Sequence, residues 1–436
     1  MKRLLCAAAA VCALSVLSGC GASSGIAVSE APTDGIPVSE APTDGIPASE
    51  APIDGIPVSE APTDGIPASE APTGGIPASE APTGGIPASE APTDDIPASE
   101  APTPSGTDTP QVTQPATAQQ MEISEIVMLE PGFSFASFSG DDGFEAFLAG
   151  GGASSDTEVV QFLAAELLAN VTMNSASFGC STVAVKSPDG HTLFGRNFDW
   201  QRCEALVVTS KPTGGYASIS TVNLGFISQA GGSFGRLLTE NDVQVLAALY
   251  APLDGMNEKG LAVSVNMIQD MALINQDTDK PDLTTTTAVR LLLNKAASVD
   301  EALTLLRQYD LHSSMGMMIH FALADTTGRA VVVEYIDTRM VVTETPVVTN
   351  FYLAEGPKQG VGTQQSHTRF DILTQTLAEH PTMSMDDVRD ALDSVSKHNF
   401  NGFESTEWSA VFDLSTGEAH YYHRENYNNR FTFSVG

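Results

Sequence analysis

Three residues that could act together in catalysis lie within one short stretch of the chain: Cys180, Arg196 and Asp199. A thiol becomes a strong nucleophile when a neighbouring cation or base favours its thiolate form. Arg196 comes sixteen residues after Cys180 and Asp199 nineteen residues after it, so the local fold decides whether these side chains meet. Taken one at a time, the same residues are also typical of a small core cysteine and a solvated strand end.

The element that would bring them together is a β-hairpin. Val183 and Val185 alternate with small or polar neighbours, which is typical of a half-buried strand. Residues 187–190 read Ser-Pro-Asp-Gly and predict a turn, because proline presets φ and glycine accepts a positive φ. A return strand begins near residue 193. Because a hairpin folds its two ends back beside each other, we expect the three candidate residues to lie close together.

The spacing of these residues, with the run Phe-Gly-Arg-Asn-Phe-Asp at 194–199, resembles the start of the mature choloylglycine hydrolase and penicillin V acylase family. It also resembles the acid ceramidase group; both are N-terminal-nucleophile (Ntn) hydrolases. Three later segments are similar to the first family, at 254–261, 347–350 and 366–370. The resemblance covers most of residues 180–436 and implies an α+β fold, the four-layer αββα Ntn-hydrolase sandwich.

The resemblance also implies a role for each candidate side chain. The thiol would be the nucleophile, the carboxylate of Asp199 would orient its α-amine, and Arg196 would support the thiolate and the substrate. Asn350 would donate to the oxyanion. The second donor would be a backbone N–H or Asn266, which comes one residue early on its strand. The candidate catalytic residues are Cys180, Arg196, Asp199, Asn266, Asn350 and Arg369, the last setting the electrostatics of the site.

The position of Cys180 inside the chain predicts a cleavage. In Ntn enzymes the general base is the α-amine of the nucleophile itself, whose pKa of about 7.7–8 suits removal of a thiol proton. An amide nitrogen cannot do this, so the bond between Gly179 and Cys180 must be cut. Gly179 has no side chain to block attack on its carbonyl. We therefore expect autoproteolysis, in which the Cys180 sulfur attacks the Gly179 carbonyl and water releases the thioester.

The first residues predict export and lipidation. Lys2 and Arg3 precede an apolar run over residues 4–17, which ends in Leu-Ser-Gly-Cys at 17–20. This pattern is typical of a bacterial lipoprotein signal, and the run is too short to span a membrane. We expect a signal peptide at 1–19, a lipid on Cys20, and an extracytoplasmic enzyme held at the bacterial cell membrane.

Residues 20–120 predict a lipid-anchored, disordered linker. Ser-Glu-Ala-Pro recurs every ten residues from Ser29 to Ser99, and residues 21–120 hold fifteen acids without a lysine or arginine. Two prolines in each unit oppose helices and sheets, and self-repulsion extends the chain. The alternatives are a repeat ligand for a partner and a solenoid. The expected domains are the signal at 1–19, the repeat linker at 20–120, a pro-segment or small chain at 121–179 and the catalytic domain at 180–436.

Composition excludes some classes of partner. The net charge is −34, with 20 basic against 54 acidic residues, which argues against nucleic acid and against adhesion to anionic lipid. The expected partners are a small acyl-amide substrate and, through Cys20 alone, the membrane. No cofactor and no metal is called for: the chain has no glycine-rich phosphate loop, and His420 and His423 are expected to be surface residues. A disulfide between Cys180 and Cys203 is the main alternative to a nucleophilic Cys180.

Hydrophobic periodicity predicts strands separated by helices after residue 180. Residues 245–250 and 261–267 are read as strands, whereas 285–296 and 369–379 are read as helices. Upstream, a capping box at 155–158 predicts a helix over 156–170 with a wide apolar face. We expect this face to keep 121–179 docked on the catalytic chain after cleavage.

The sequence leaves three functions open. The first is an amidase that hydrolyses linear carbon–nitrogen bonds. The second is a cysteine peptidase or acyltransferase; a papain-like peptidase would need a histidine partner and usually carries its cysteine on a helix. The third is a surface binding module on a stalk that no longer cleaves. The acyl group of the substrate stays undetermined.

Overall fold

The computed structural model describes residues 121–166, 171–173, 179–229, 239–400 and 404–436. The predicted signal peptide, the Cys20 lipidation site and the repeat linker lie outside the described residues, as do 167–170 at the end of the predicted helix. In the described residues, no helix is both long and apolar enough to cross a membrane.

Strands dominate the described part of the chain, as the sequence predicts. The strands, numbered in chain order, are β1 Glu122–Ile123, β2 Val127–Glu130, β3 Phe133–Gly140, β4 Val171–Met173, β5 Gly179–Lys186, β6 Thr192–Trp200, β7 Ala205–Pro212, β8 Ser218–Asn223, β9 Ile227–Gln229, β10 Asp254–Asn257, β11 Ala262–Ile268, β12 Asp282–Thr284, β13 Asp310–His312, β14 Met318–Ala324, β15 Ala330–Ile336, β16 Arg339–Glu344, β17 Val347–Val348, β18 Ser405–Asp413, β19 Glu418–His423 and β20 Phe431–Ser434. The α-helices are α1 Phe144–Ala149, α2 Asp156–Glu166, α3 Glu240–Leu249, α4 Thr285–Lys295, α5 Val299–Leu306, α6 Gln364–Glu379 and α7 Met385–Asp393. A 3-10 turn covers Leu224–Phe226.

Two sheets form the inner layers. The larger has the order β1-β3-β7-β8-β10-β11-β14-β15-β16, with β2 paired to β3, and the smaller has the order β17-β5-β6-β18-β19-β20. The two sheets face each other where β11 packs on β5. Helices α3 and α4 cover the larger sheet, and α6 and α7 cover the smaller one. This arrangement confirms the predicted α+β, αββα architecture.

The predicted hairpin is β5 and β6. The Ser187 N–H donates to the His191 carbonyl, and Gly190 closes the turn with a φ of +86°. Successive side chains of a strand point to opposite faces. On β5, Cys180 and Ala184 belong to the core between the two sheets, whereas Val183 and Val185 face the helices. The hairpin therefore presents side chains on both faces of the smaller sheet, one toward the larger sheet and one toward the helices.

Close packing of α7 on the hairpin depends on one glycine. A Cβ on Gly195 would lie 2.7 Å from Cγ1 of Val388, a distance that real Cβ atoms do not adopt. On the opposite face, Phe198 stacks on Trp408 with ring centroids 3.9 Å apart. The helix side and the inter-sheet side of β6 are thus both tightly filled, which fixes the position of the strand.

Two local predictions are wrong. Residues 245–250 are not a strand, because 245–249 belong to α3, which begins with a capping box between Thr239 and Asp242. The helix is buried on almost every side, so it lacks the polar face that would have revealed its period. His420 and His423 are buried rather than at the surface, and each pairs with a carboxylate, on Glu418 and Glu130 respectively.

The segment upstream of Cys180 is built into the larger sheet. Strand β3 pairs in parallel with β7 over eight residue pairs, from Phe133 opposite Ala205 to Gly140 opposite Pro212. Helix α2 begins at Asp156 as predicted, and its Val159 and Leu163 are fully buried. The upstream segment is therefore part of the same core as the hairpin, through a strand as well as the helix.

Candidate active site

The thiol of Cys180 lies at the start of β5 on the face that meets the larger sheet. The residue is fully buried, and its Sγ lies 3.5 Å from the carbonyl oxygen of Val265 on β11. Cys180 and Cys203 are both free, which excludes the disulfide that was the main alternative. Cys203 is buried and single, as expected if Cys180 is the nucleophile.

Burial dominates the protonation of this thiol. Desolvation raises the pKa of Cys180 to about 11, although the positive charge of Arg196 lowers it. The negative charge of Asp199 raises the pKa further, and Arg369 lowers it. The Cys180 side chain is therefore a neutral thiol at neutral pH, and a base would be required to activate it.

The main chain of Cys180 is held by two of the predicted side chains. Its N–H donates to Oδ1 of Asn350 over 2.8 Å, and its carbonyl accepts from Nη1 of Arg369 over 2.8 Å. The amide of Asn350 donates from Nδ2 to the carbonyl of Met267 over 2.7 Å. The nitrogen that cleavage would free thus already has an acceptor within hydrogen-bond distance.

Arg369 joins these groups to Asp199. Its Nη1 donates to Oδ2 of Asp199 over 3.0 Å and to Oγ of Ser181 over 2.6 Å, and its Nη2 donates to Oδ1 of Asn350 over 2.7 Å. The other oxygen of Asp199 accepts from Thr406 Oγ1 over 2.7 Å. Asp199 is fully buried and lies opposite Gly179 in the β5–β6 register. The carboxylate is therefore beside the bond that is predicted to break.

Arg196 occupies the other face of β6, between the two sheets. Its Nε donates to Asp254 Oδ2 over 2.5 Å, and its Nη1 donates to Asn266 Oδ1 over 2.9 Å and to Oγ of Ser264. Burial lowers the pKa of Arg196, but the charges of Cys180 and Asp254 outweigh it and raise the pKa overall. The thiol thus shares a face with Arg196, and Asp199 lies on the opposite face.

Asn266 belongs to the Arg196 cluster. Its Oδ1 accepts from Arg196 and from Ser264 Oγ, and its Nδ2 lies 3.5 Å from the carbonyl of Val348. Its neighbour on β11, Val265, supplies the carbonyl that Cys180 Sγ approaches. Both residues reach the nucleophile's side of the core, so the one-residue offset of Asn266 does not remove it from the site.

The chain matches the model of one known family. Residues 248–428 match the family of acyl-coenzyme A:6-aminopenicillanic acid acyl-transferase. The matched region contains Asn266, Asn350 and Arg369 and ends before β20. The match confirms the resemblance predicted from the sequence, together with the predicted enzyme class, an Ntn-type hydrolase of linear amide C–N bonds.

Solved structures similar to the chain include two enzymes. A variant of conjugated bile acid hydrolase from Clostridium perfringens shows 17% identity and a TM-score of 0.44, covering 59% of this chain and 92% of its own. Penicillin V acylase from Agrobacterium tumefaciens shows 18% identity and a TM-score of 0.42, covering 59% of this chain and 86% of its own. No curated protein sequence matches the chain.

The matched region contains a buried histidine–carboxylate pair that the sequence did not reveal. His320 donates from Nε2 to the carbonyl of Thr349 over 2.7 Å, and its Nδ1 lies 3.1 Å from Oε1 of Glu334. Both side chains are fully buried. The pair fixes the carbonyl that immediately precedes Asn350, and so helps to position that side chain.

Further partners of the predicted residues were missed because no local pattern marks them. Asp254 opens a segment that resembles the family, but only the fold shows that it binds Arg196. Ser264 follows the period of β11, two residues before Asn266, which could have placed it on the same face. Lys397 and Glu404 carry no sequence signal. Within the described residues, no group of three or more histidine, cysteine or carboxylate side chains could hold a metal ion.

Proposed function

We propose that this protein is a self-processing amidase of the cell surface, which hydrolyses acyl amides through Cys180 as an N-terminal nucleophile. The observation that carries the proposal is the hydrogen bond from the Cys180 main-chain nitrogen to Asn350 Oδ1. This nitrogen belongs to the same residue as the thiol, and its release as an α-amine would give the site a base of suitable pKa.

Activation begins with the bond after Gly179. The Cys180 sulfur attacks the Gly179 carbonyl, the carbon–nitrogen bond breaks, and the thiol proton passes to the departing nitrogen. Water then hydrolyses the thioester. This step yields the α-amine of Cys180, for which Asn350 and the nearby Asp199 carboxylate are ready partners.

Turnover repeats the same chemistry on an external amide. The α-amine takes the thiol proton, the sulfur attacks the substrate carbonyl, and the proton passes to the leaving amine. Arg196 stabilises the thiolate by its charge. Asn350, with Asn266 or a backbone N–H, donates to the oxyanion, and a donor of this kind is worth about 10²–10³ in rate. Arg369 keeps Asn350 and Asp199 in place.

The test is intact-mass measurement and N-terminal sequencing of the purified chain beside a Cys180→Ala variant. The wild type should yield a chain that starts Cys-Ser-Thr-Val at residue 180, and the variant should stay whole. A wild type that stays whole would remove the α-amine base and leave the binding-module alternative. The candidate substrates to screen against the processed enzyme are N-acyl amino acids, acylated signals, bile conjugates and penicillin V.

Acyl transfer is the second candidate function, and the description of the matching family favours it. A thioester acyl-enzyme can pass its acyl group to water or to an amine. Turnover in the presence of a series of acceptor amines distinguishes the two, because transfer yields a new amide and hydrolysis yields only the free acid.

The proposed location is the outer side of a bacterial cell membrane. A lipid on Cys20 would hold the enzyme there, and residues 21–120 would act as the spacer. The wild type should partition with membranes and a Cys20→Ala variant should not. Equal partitioning of the two would contradict lipid anchoring while leaving the amidase chemistry untouched.

A further inference from the structure

Gly179, the residue before the nucleophile, is enclosed by charged side chains. A Cβ on Gly179 would lie 2.6 Å from Nζ of Lys397 and 3.1 Å from Oδ2 of Asp199, and closer still to Oε1 of Glu404. Lys397 pairs with Glu404 over 2.6 Å, and its Nζ lies 3.7 Å from Asp199 Oδ2. The Lys397 side chain is only 7% exposed, which is rare for lysine.

Strand pairing and two hydrogen bonds of Thr406 place Lys397 beside Gly179. Gly179 lies opposite Asp199 on β6, and Asp199 lies opposite Thr406 on β18. The Lys397 N–H donates to Thr406 Oγ1 over 2.8 Å, and this same hydroxyl donates to Asp199 Oδ1 over 2.7 Å. The lysine backbone and the Asp199 carboxylate therefore share one hydroxyl, which ties the position of one to that of the other.

The charges around the scissile bond are balanced before cleavage. Asp199 and Glu404 supply two negative charges, and Arg369 and Lys397 supply two positive charges. Cleavage, as proposed above, forms the bond between sulfur and the Gly179 carbonyl carbon and breaks the peptide bond, moving the thiol proton to nitrogen. Water then adds to the thioester and restores the thiol. The net products are a carboxylate on Gly179 and an α-ammonium on Cys180.

We propose that Lys397 is the positioning residue for self-cleavage, which receives the new Gly179 carboxylate. After cleavage the contact between Lys397 and Asp199 is broken, and each of these two side chains binds one of the new chain ends. Lys397 binds the carboxylate, and Asp199 is released to bind the α-ammonium. Each new charge finds an opposite charge that is already in place, so buried charge is not left unpaired. This inference rests on the proposed self-cleavage and assigns it a residue outside the predicted site.

The pair also explains the glycine. Any larger residue at 179 would place its Cβ against the ends of Lys397 and Glu404, so these two side chains would have to move. Gly179→Ala and Lys397→Met therefore act on the same interaction. Their effects on cleavage rate should not add, and the double variant should be no slower than the slower single variant.

The experiment follows the cleavage rate of the full chain by intact mass, across pH. Lys397→Met should cleave about tenfold or more slowly than wild type, the loss expected for a charged hydrogen bond, and Lys397→Arg should recover most of the rate. Lys295→Met is the matched control, because it removes a lysine from an ion pair with Glu145 on another part of the surface. Its rate should equal that of the wild type.

A second measurement separates positioning from stability. After cleavage, carboxypeptidase should leave Gly179 in place in the wild type, where Lys397 holds its carboxylate, and should remove it in Lys397→Met. If Lys397→Met cleaves and resists trimming like the Lys295→Met control, the inference is overturned and the proposed function stands. If the wild type itself stays uncut, the proposed self-cleavage fails, and this inference fails with it.

Discussion

Cys180, the proposed nucleophile, is the residue whose state would change most if the chain were cleaved as proposed. In the uncut chain Cys180 is fully buried and its pKa is raised to about 11. At pH 8 this leaves about one thiol in a thousand ionised, since each pH unit is a factor of ten. Cleavage would place a positive amine beside the same sulfur, and a nearby positive charge favours the thiolate.

We therefore expect alkylation to distinguish the two forms. Iodoacetamide at pH 8 should modify Cys180 in the processed chain and leave it unmodified in the uncut chain of the same sample. Mass spectrometry of the two Cys180 peptides measures this, because only one of them begins at residue 180. Cys203 serves as the internal control, since burial and the charge of Glu407 raise its pKa well above the usual value. Equal labelling of both forms would contradict the argument.

Asn350 is the residue on which catalysis should depend most after Cys180. Asn350→Ala removes an acceptor for the Cys180 nitrogen and the proposed oxyanion donor at once. In the processed fraction we expect kcat to fall by about 10²–10³ with a small change in KM. The exposed Asn428→Ala variant should match the wild type. A kcat within threefold of wild type would remove Asn350 from the oxyanion hole.

At the scale of elements, β14, β15 and the chain after β17 meet at the buried pair of His320 and Glu334. Burial raises the pKa of Glu334. The hydrogen bond and charge of His320, together with the N–H groups of Leu353 and Ala354, lower it by more. The folded pKa is therefore below the ordinary value of 4.5. A carboxyl group whose pKa is lower in the folded than in the unfolded protein stabilises the fold at pH values above its unfolded pKa. This stabilisation is lost as the pH falls through the folded pKa.

Glu334→Gln should show both consequences. At neutral pH it should lower the free energy of unfolding by about 1–3 kcal/mol, because an amide has one acceptor oxygen where the carboxylate accepts from His320, Leu353 and Ala354 with two. As the pH is lowered below 4.5, the free energy of unfolding of the variant should fall less steeply than that of the wild type. Denaturant unfolding across pH measures both, with the exposed Glu355→Gln as control. Parallel pH profiles for the wild type and Glu334→Gln would contradict the assignment.

The elements also show what the sequence could and could not predict. The β5–β6 hairpin was predictable because its turn and its alternation are local, and the 187–190 turn fixes the register that brings Gly179 opposite Asp199. The helix at 240–249 was missed because burial on almost every side hid its helical period. Lys397 was missed because it reaches Asp199 through Thr406, a contact that only the three-dimensional fold creates.

At the scale of the whole molecule, the proposed cut divides a continuous sheet between two chains. Strand β3 lies upstream of the cut, and its partner β7 lies downstream. We expect the two products to separate on a denaturing gel and to elute together by size exclusion, because separation would expose the edge of β7 and the apolar face of α2. Cys180→Ala, which should stay in one piece, gives the reference elution volume. Elution of residues 180–436 alone would contradict docking.

Because β3 pairs with β7, the proposed cleavage would also change how the protein can refold. Before cleavage, both strands belong to one chain, and folding is a unimolecular event whose yield does not depend on concentration. After cleavage, the same contacts must form between two molecules, so recovery from denaturation would become second order and would weaken with dilution. The sheet would be assembled once, from the intact precursor, and afterwards preserved by the slowness of unfolding. Damage that unfolds the mature enzyme would then be final.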